Sequence, residues 1–233
     1  MSYEWADCDR GTVSQRYDRL AKYLPVFDRL LFLPSDLRRK AVDSLALRRG
    51  DVVLDIGCGT GANLAHLHNA VGTAGQVYGI DISRGMLREA RAVRDANRWR
   101  NVDLTECDAL DFAVPRPLDG ALFSLSYNTM PHHRGVLHKM WEQLRPGGRL
   151  VIMDAKLPPG EMGRLILPFS IWLMRRTMLG NPLIRPWEEV TEIADRVEME
   201  EFLFGSYYIC RAVKPAPATT KRSATAEAAV AVA

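Results

Sequence analysis

Apolar stretches rich in β-branched residues alternate with amphipathic helical patterns through the middle of the chain. Short apolar runs bounded by turn residues are typical of buried strands, and apolar positions three and four apart indicate helices. The predicted strands are residues 52–56, 76–81, 101–106, 120–125 and 149–154. The predicted helices run from about residue 61 to 70, from 83 to 97 and from 134 to 144. Strands that alternate with helices in this way predict an α/β fold, with a parallel sheet covered by helices on both faces.

The segments on either side of this core have other patterns. Residues 1–50 are predicted to be helical, because apolar side chains from Tyr17 onward recur at spacings of three, four and seven. Pro25 divides this region into two helices. Residues 156–185 are apolar and interrupted by Pro and Gly, so we interpret them as a lid insertion after the fifth strand.

The C-terminal part of the chain predicts a closing strand pair and a tail. An antiparallel pair is predicted at 196–204 and 207–213. Residues 214–233 are rich in Ala, Pro, Thr and Ser, a composition typical of disorder. The chain is therefore divided into an N-terminal helical cap at 1–50, a core domain at 51–213 and a disordered tail.

Composition excludes several classes of protein. The 233 residues are 47% hydrophobic and 25% charged, which is average for a soluble globular protein. The net charge of +3 is too small to indicate a nucleic-acid partner. No signal peptide is recognisable, and the apolar run of 10 residues at 165–174 is shorter than the roughly 20 that a membrane-spanning helix needs. The four cysteines lie far apart without zinc-ligand spacing, so we expect reduced thiols in a cytoplasmic protein that holds no metal.

A glycine-rich turn follows the first predicted strand. It comprises Asp55, Gly57, Cys58, Gly59 and Gly61. Open α/β sheets bind ligands at this position, where glycines let the backbone approach a ligand and where we expect amide groups to point into the cleft. Together with Ala62 the glycines also satisfy the dinucleotide pattern. The turn alone therefore does not distinguish NAD from another adenosine ligand.

Motifs at the ends of the following strands narrow the choice of ligand. Asp81 comes 20 residues after Gly61, at the end of the second strand, and is placed to accept hydrogen bonds from both hydroxyls of a ribose. Cys107-Asp108-Ala109 follows the third strand, and Pro146-Gly147-Gly148 precedes the fifth. In combination with the glycine turn, these motifs resemble those of class I methyltransferases that depend on S-adenosyl-L-methionine (SAM). The resemblance covers about residues 50–155.

The resemblance implies a Rossmann-like fold, whose seven-stranded and mostly parallel sheet has an antiparallel last strand. It makes the core domain a SAM-binding methyltransferase domain, with S-adenosyl-L-homocysteine (SAH) as the product. The methionine part of SAM would lie against the glycine turn and the ribose on Asp81. The adenine would lie near Ile82, Met86, Asp108 and Ala109, with Asp108 accepting from its amino group. A role for Asp108 in a local turn only is the alternative.

Residues 124–133 follow the fourth strand, where this family presents groups that face the substrate. Ser124 is a further candidate cofactor contact. Methyl transfer is an in-line displacement that needs alignment, and an acceptor amine or hydroxyl also needs a base. His132 and His133 are the candidate bases, with Tyr127 as an orienting hydroxyl or as a wall of a cation-binding pocket. The alternative is a His pair that only begins the next helix. The family's Pro-Pro-aromatic motif for nucleic-acid bases is absent.

The Tyr17-Asp18 segment with Tyr23 resembles the opening of the quinone-biosynthesis methyltransferases and of the bacterial phospholipid N-methyltransferases. In those relatives it covers bound SAM, which makes Tyr17 and Tyr23 candidate lid contacts. An aromatic pair in an ordinary amphipathic helix is the alternative.

Charge is unevenly distributed along the chain. Residues 1–50 hold 10 basic and 7 acidic groups, and residues 161–185 hold 4 basic and 1 acidic. Residues 186–213 hold 2 basic and 7 acidic groups. The two basic segments are also apolar, and apolar helices edged with arginine are typical of contact with an anionic membrane surface. An ordinary lid over a small hydrophobic substrate is the alternative.

We therefore expect a SAM-dependent methyltransferase that N-methylates a phospholipid head-group amine or similar amphiphile. It would be cytoplasmic and peripheral at the inner face of the membrane, with no nucleic-acid partner. C- or O-methylation of a quinone or secondary metabolite is the first alternative. An NAD-dependent oxidoreductase and a non-catalytic SAM-fold module are more distant, and the intact glycines and Asp81 argue against the latter.

Overall fold

The structure is a computed structural model that describes residues 14, 17, 18, 33–177, 180, 181 and 183–216. Tyr23 lies outside the described residues, as do most of the predicted N-terminal cap before residue 33 and the predicted tail from residue 217. The division into cap, core domain and tail stays a prediction.

Seven strands form one mixed sheet in the described part of the chain. The strands are β1 Val52–Ile56, β2 Gln76–Asp81, β3 Val102–Glu106, β4 Leu118–Ser124, β5 Leu144–Ala155, β6 Val197–Phe202 and β7 Tyr207–Val213. The helices are α1 Leu37–Ser44, α2 Leu64–Val71, α3 Arg84–Ala96, α4 His133–Gln143, α5 Glu161–Thr177 and α6 Pro186–Thr191, with a 3-10 turn at Tyr127–Thr129. Along the described ranges, no helix has the length and apolar character needed to cross a membrane.

The strand order is β3-β2-β1-β4-β5-β7-β6. Strands β1 to β5 are parallel, and β7 runs antiparallel to both β5 and β6. The predicted α/β fold, with seven strands and an antiparallel last strand, is therefore confirmed.

Helices cover both faces of the sheet, because the central strands are apolar on both sides. Leu54 of β1 packs in a core with helices α4 and α6, whereas its neighbour Val53 packs in a core with α1, α2 and α3. Successive residues of a strand point to opposite faces, so a continuous apolar strand needs a helix layer on each.

Strand β5 begins earlier than predicted. Residues 145–148 lie between the predicted helix at 134–144 and the predicted strand at 149–154, but Leu144 already pairs with Leu118 of β4. The Gly147 N–H donates to Lys214 O at 2.8 Å, and the Lys214 N–H donates to Gly148 O at 2.9 Å. Pairing with the chain after β7 thus extends the strand through a Pro-Gly-Gly sequence that by itself favours a turn.

The order of the strands reverses between β1 and β4, since the chain runs outward through β2 and β3 and then returns to the other side of β1. In open α/β sheets, the crevice outside the carboxyl ends of the strands at this reversal is the usual ligand site. Asp55, Asp81, Ser124 and Asp154 lie at or near the carboxyl ends of β1, β2, β4 and β5.

Candidate functional site

The glycine turn after β1 is shaped by both conformation and packing. Gly57, Gly59 and Gly61 have φ values of +69°, +54° and +85°, in the region that favours glycine. A Cβ on Gly57 would lie 2.6 Å from Ser126 Cβ, and one on Gly61 would lie 2.7 Å from Leu64 Cδ1. A Cβ on Gly59 would meet no atom within 4 Å. Gly59 is therefore the glycine that borders open space, where a ligand can approach the backbone.

Amide groups of this turn bind acceptors inside the protein. The N–H groups of Gly57 and Cys58 both donate to Ile80 O at 2.9 Å. The Gly59 N–H donates to Asp81 Oδ2 at 2.9 Å. The expectation that these amides point into the cleft is wrong, because the turn folds onto the end of β2. A dinucleotide pyrophosphate is bound by amides at this position, so the turn is not arranged for one.

Asp81 joins the glycine turn to the start of helix α3. Its Oδ2 accepts the Gly59 N–H, and its Oδ1 accepts the Ser83 N–H at 2.8 Å. Burial raises the pKa of Asp81 to about 6, while these two hydrogen bonds lower it and the Asp18 carboxylate raises it. Each carboxylate oxygen has a further lone pair, so Asp81 can also accept from the two hydroxyls of a ribose.

Asp55 belongs to a polar chain that ends in a guanidinium. Asn63 Nδ2 donates to Asp55 Oδ1 at 3.3 Å and to Oδ2 at 3.2 Å. Ser124 Oγ donates to Asn63 Oδ1 at 3.3 Å and accepts from Arg38 Nη1 at 3.0 Å. Burial raises the pKa of Asp55 to about 7, against the Asn63 hydrogen bond and the charge of Arg38. A carboxylate and a guanidinium linked through Asn63 and Ser124 match the ammonium and carboxylate of an amino acid such as the methionine part of SAM.

Three predicted cofactor contacts surround the junction of β2 and α3. Cys58 is 4% exposed, and burial raises the pKa of its thiol well above the usual value. Met86 is 2% exposed on α3. The Ile82 carbonyl accepts from Ser14 Oγ at 3.1 Å, so a residue of the N-terminal region reaches this junction.

The predicted adenine-side residues follow β3. Asp108 Oδ1 accepts the Leu110 N–H at 2.8 Å in a local turn, and Ala109 is 9% exposed. The Cys107 N–H donates to Asp81 O at 3.1 Å. The structure therefore places this turn beside the ribose-side carboxylate, and the contact of Asp108 with adenine stays a prediction.

Tyr17 comes from the N-terminal region and lies at the same edge of the sheet. Its side chain is hydrogen-bonded to that of Thr129, and the carboxylates of Asp81 and Asp154 lie close to it. Burial raises the pKa of Tyr17 to about 12. One of the two predicted lid tyrosines is thus among the strand ends that form the candidate site.

The buried side chains of Tyr127 and of Glu189 on helix α6 form a cluster with the half-buried His133. The Tyr127 hydroxyl donates to Glu189 Oε2 at 2.6 Å, and His133 Nε2 lies 3.2 Å from Glu189 Oε1. His133 Nδ1 lies 3.2 Å from Met130 O. Burial opposes ionisation of Glu189, but hydrogen bonds from His133 and Tyr127 outweigh it and lower its pKa. Because the Tyr127 hydroxyl and both His133 nitrogens contact protein acceptors, these side chains tie α4 to α6 in this arrangement.

His132 has a different environment from its neighbour. It is exposed and occupies the N-cap position of α4, where its side chain makes no capping hydrogen bond. Of the two predicted bases, His132 is the more exposed, since the His133 side chain is 19% exposed.

Asp154 is a buried carboxylate at the end of β5. Its Oδ2 accepts the Asn128 N–H at 3.1 Å, and its Oδ1 accepts the Ala155 N–H at 2.8 Å. Burial raises its pKa to about 7, against the hydrogen bonds from backbone N–H groups. Asp154 therefore fixes the turn after β4 against the end of β5.

Four residues of the site carry no sequence motif and were missed: Arg38, Asn63, Asp154 and Glu189. Asp154 has a usable signal, because it ends a parallel strand as Asp81 does. Arg38 and Glu189 reach the site from distant helices, and the pattern of residues around them gives no indication of this. In the described part of the chain, no three His, Cys, Asp or Glu side chains are grouped so as to hold a metal ion.

The strand order, the glycine turn after β1 and the carboxylate at the end of β2 define a class I SAM-dependent methyltransferase fold. The chain belongs to the methyltransferase domain family, whose family model matches residues 47–185. The expected class is confirmed, and SAM is the methyl donor of this class. The NAD-dependent alternative receives no support from the family match.

Known proteins resemble this chain over different lengths. Aklanonic acid methyltransferase DauC from Streptomyces sp. (strain C5) is 37% identical over 142 residues, which cover 59% of this chain and 62% of that protein. The match thus spans less than two thirds of that relative. Demethylmenaquinone methyltransferase from Geobacillus stearothermophilus is 26% identical over 211 residues, or 87% of this chain and 88% of the relative. A solved structure of a SAM-dependent methyltransferase from Aquifex aeolicus shares the fold with a TM-score of 0.59 and 22% identity, and covers 81% of this chain and 97% of that one.

The substitution Asp81→Asn tests whether Asp81 binds the ribose of the cofactor. We expect SAH affinity to fall about a hundredfold in isothermal titration calorimetry, because the predicted hydrogen bonds to the ribose would lose their charge and the amide could accept only one of the Gly59 and Ser83 N–H groups. The matched control is Asp103→Asn on the neighbouring strand β3, where the exposed carboxylate accepts from Gln76 Nε2 at 2.9 Å. Equal affinity of Asp81→Asn and wild type would contradict this role.

The three buried carboxyl groups predict how stability depends on pH. The pKa values of Asp55 and Asp154 are raised to about 7 and that of Asp81 to about 6, against a usual value of 3.8. Their stabilising effect is complete below the unfolded value and is lost as pH rises through the folded values. We therefore expect the unfolding free energy of the unliganded protein, measured in urea, to fall between about pH 4 and pH 7 and to level off above that range. Asp55→Asn should reduce this decline and Asp95→Asn, at an exposed carboxylate, should not; a rise across the window would contradict the assignment.

Proposed function

We propose that the protein transfers the methyl group of SAM to carbon or oxygen of a quinone-related small molecule. The observation that carries this proposal is the similarity to a demethylmenaquinone methyltransferase over 87% of the chain. The similarity to an aklanonic acid methyltransferase over 59% of the chain adds support. The order of the two acceptor classes is thereby the reverse of that expected from sequence, where a phospholipid amine came first.

The residues at the strand ends fit SAM as the donor. When bound, SAM supplies a methyl group on a sulfonium centre, which a nucleophile can displace. Asp81 would hold the ribose, and Arg38 and Asp55 would face the carboxylate and ammonium of the methionine part. Asp81, whose pKa is about 6, would be ionised at pH 7, and its negative charge would favour the cationic donor over the neutral product.

The acceptor side would consist of Tyr17, Asn128 and Thr129, which lie near the carboxyl ends of β4 and β5. Loss of a proton from the acceptor needs a base within reach. His132 is the candidate, because its ring is exposed and has no capping bond. His133 and Tyr127 would act indirectly, by fixing the start of α4 through Glu189.

A second candidate, N-methylation of a phospholipid amine at a membrane surface, is favoured by one face of the lid helix α5. Leu165, Phe169 and Trp172 are 78%, 61% and 50% exposed, at spacings of four and three that place them on one stripe. The rings of Phe169 and Trp172 stack with centroids 5.8 Å apart. The exposed Arg164 lies beside this stripe, in a segment, 161–185, with 4 basic and 1 acidic groups. An anionic lipid surface is the partner that matches apolar and basic groups together, and it would serve a lipid-soluble quinone equally well.

The acceptor class is tested by supplying SAM with a radiolabelled methyl group. The separate acceptors are a demethylated naphthoquinone, an aromatic polyketide acid and phosphatidylethanolamine vesicles. We expect label in a quinone-related acceptor, with loss of transfer in Asp81→Asn and retention in Asp103→Asn. Label in phosphatidylethanolamine alone would reverse the proposal in favour of the second candidate. Absence of label from all three, in protein that binds SAH, would contradict both.

Membrane contact is tested by sedimentation with phosphatidylglycerol vesicles. We expect the double variant Phe169→Ser/Trp172→Ser to bind at least tenfold more weakly, because both aromatic side chains would leave the interface. The matched control is Val213→Ser. Val213 is 47% exposed at the end of β7 and pairs with Arg149, far along β5 from the strand end that leads to α5. Equal sedimentation of the double variant and wild type would contradict the contact, and a change in oligomeric state instead would indicate a second copy on this stripe.

A further inference from the structure

The N-terminal region is fastened to the start of helix α3 by Asp18. Asp18 Oδ1 accepts from Ser83 Oγ at 2.6 Å and from the Gly85 N–H at 2.7 Å. Ser14 Oγ donates to Ile82 O at 3.1 Å on the same junction. Three hydrogen bonds therefore connect Ser14 and Asp18 to a turn that is more than 60 residues away in sequence.

Packing and charge both favour this contact. A Cβ on Gly85 would lie 2.9 Å from Asp18 Cα, so glycine at this position permits the close approach of the two backbones. The hydrogen bond from Ser83 lowers the pKa of Asp18, and the positive charges of Arg88 and Arg84 act in the same direction. An ionised carboxylate at the first turn of α3 is also favoured by the helix dipole.

The Asp18 contact is linked through Ser83 to Asp81, the predicted ribose-binding residue. Ser83, which donates its hydroxyl to Asp18, donates its backbone N–H to Asp81 Oδ1 at 2.8 Å. The residue that precedes Asp18 is Tyr17, whose side chain reaches Thr129 on the other side of the cleft. The position of Asp18 therefore determines where Tyr17 lies relative to Asp81.

We propose that Asp18 is a positioning residue that holds Tyr17 across the cofactor cleft and so slows the dissociation of bound cofactor. In this role Asp18 acts through Tyr17. The role concerns the cofactor and is independent of the acceptor class.

Two substitutions disturb the contact from opposite sides. Asp18→Ala removes the acceptor, and Gly85→Ala displaces the Asp18 backbone while leaving its carboxylate intact. Because the added Cβ has to displace the Asp18 backbone, Gly85→Ala should lower the unfolding free energy of the unliganded protein slightly, as Asp18→Ala does through its lost hydrogen bonds. We expect both to raise the Kd for SAH about tenfold in calorimetry, mainly through a faster dissociation rate.

Two further variants distinguish a positioning role of Asp18 from a general effect of removing a carboxylate on SAH affinity. Asp18→Asn keeps a side-chain oxygen that can accept both hydrogen bonds, so it should retain SAH affinity within about threefold of wild type. Asp43→Ala removes an exposed carboxylate that pairs with Arg39 on α1, and should bind SAH as wild type does.

A double-mutant cycle tests whether Asp18 acts through Tyr17. Tyr17→Ala should weaken SAH binding, and Tyr17→Ala/Asp18→Ala should weaken it no further. Additive losses would overturn the positioning role, as would wild-type SAH affinity in both Asp18→Ala and Gly85→Ala. A loss of equal size in Asp43→Ala would overturn it as well. If Asp18→Ala fails to fold, Gly85→Ala decides.

Discussion

The ligand edge of this protein depends on the two backbone N–H groups that Asp81 accepts, from Gly59 and from Ser83. A carboxylate buried at the end of a strand is costly unless hydrogen bonds compensate it. Here the compensation comes from the glycine turn on one side and the start of α3 on the other. The same bonds fix the shape of the turn and the beginning of the helix, so the cofactor cleft and the charge inside it form together.

Buried carboxyl groups recur at this edge, and they determine which ligand it suits. Asp55, Asp81 and Asp154 lie at the ends of β1, β2 and β5, and burial raises the pKa of each. The amides of Gly57 and Cys58, which a phosphate would need, are already bonded to Ile80. An edge with acidic side chains and no available amides at these positions favours a cationic ligand over a pyrophosphate. A sequence that matches the dinucleotide pattern can therefore form a turn that is not arranged to bind a pyrophosphate.

The sequence predicts what depends on local patterns. The alternation of strands and helices predicts the sheet, and the glycines with Asp81 predict its ligand edge, because each signal lies within one turn or one strand. The contacts of His133 with Glu189 and of Arg38 with Ser124 join residues 56 and 86 positions apart, and no local pattern indicates them. The direction of the turn amides was mispredicted for a related reason. It depends on where the end of β2 lies, which only the folded sheet determines.

The acidic C-terminal region has a more specific role than its net charge indicates. Residues 186–213 carry 7 acidic and 2 basic groups, yet several of these acids pair with basic side chains in the structure. The pairs are Glu188 with Arg185, Glu189 and Glu192 with Arg134, Glu198 with Arg211, and Glu201 with Lys156. These ion pairs fasten α6 and β6 to the segments around them. Because these pairs neutralise much of the acidic charge locally, the region would repel an anionic surface less than its composition suggests. The apolar stripe on α5 is therefore a stronger reason to propose membrane contact than the uneven charge of the sequence.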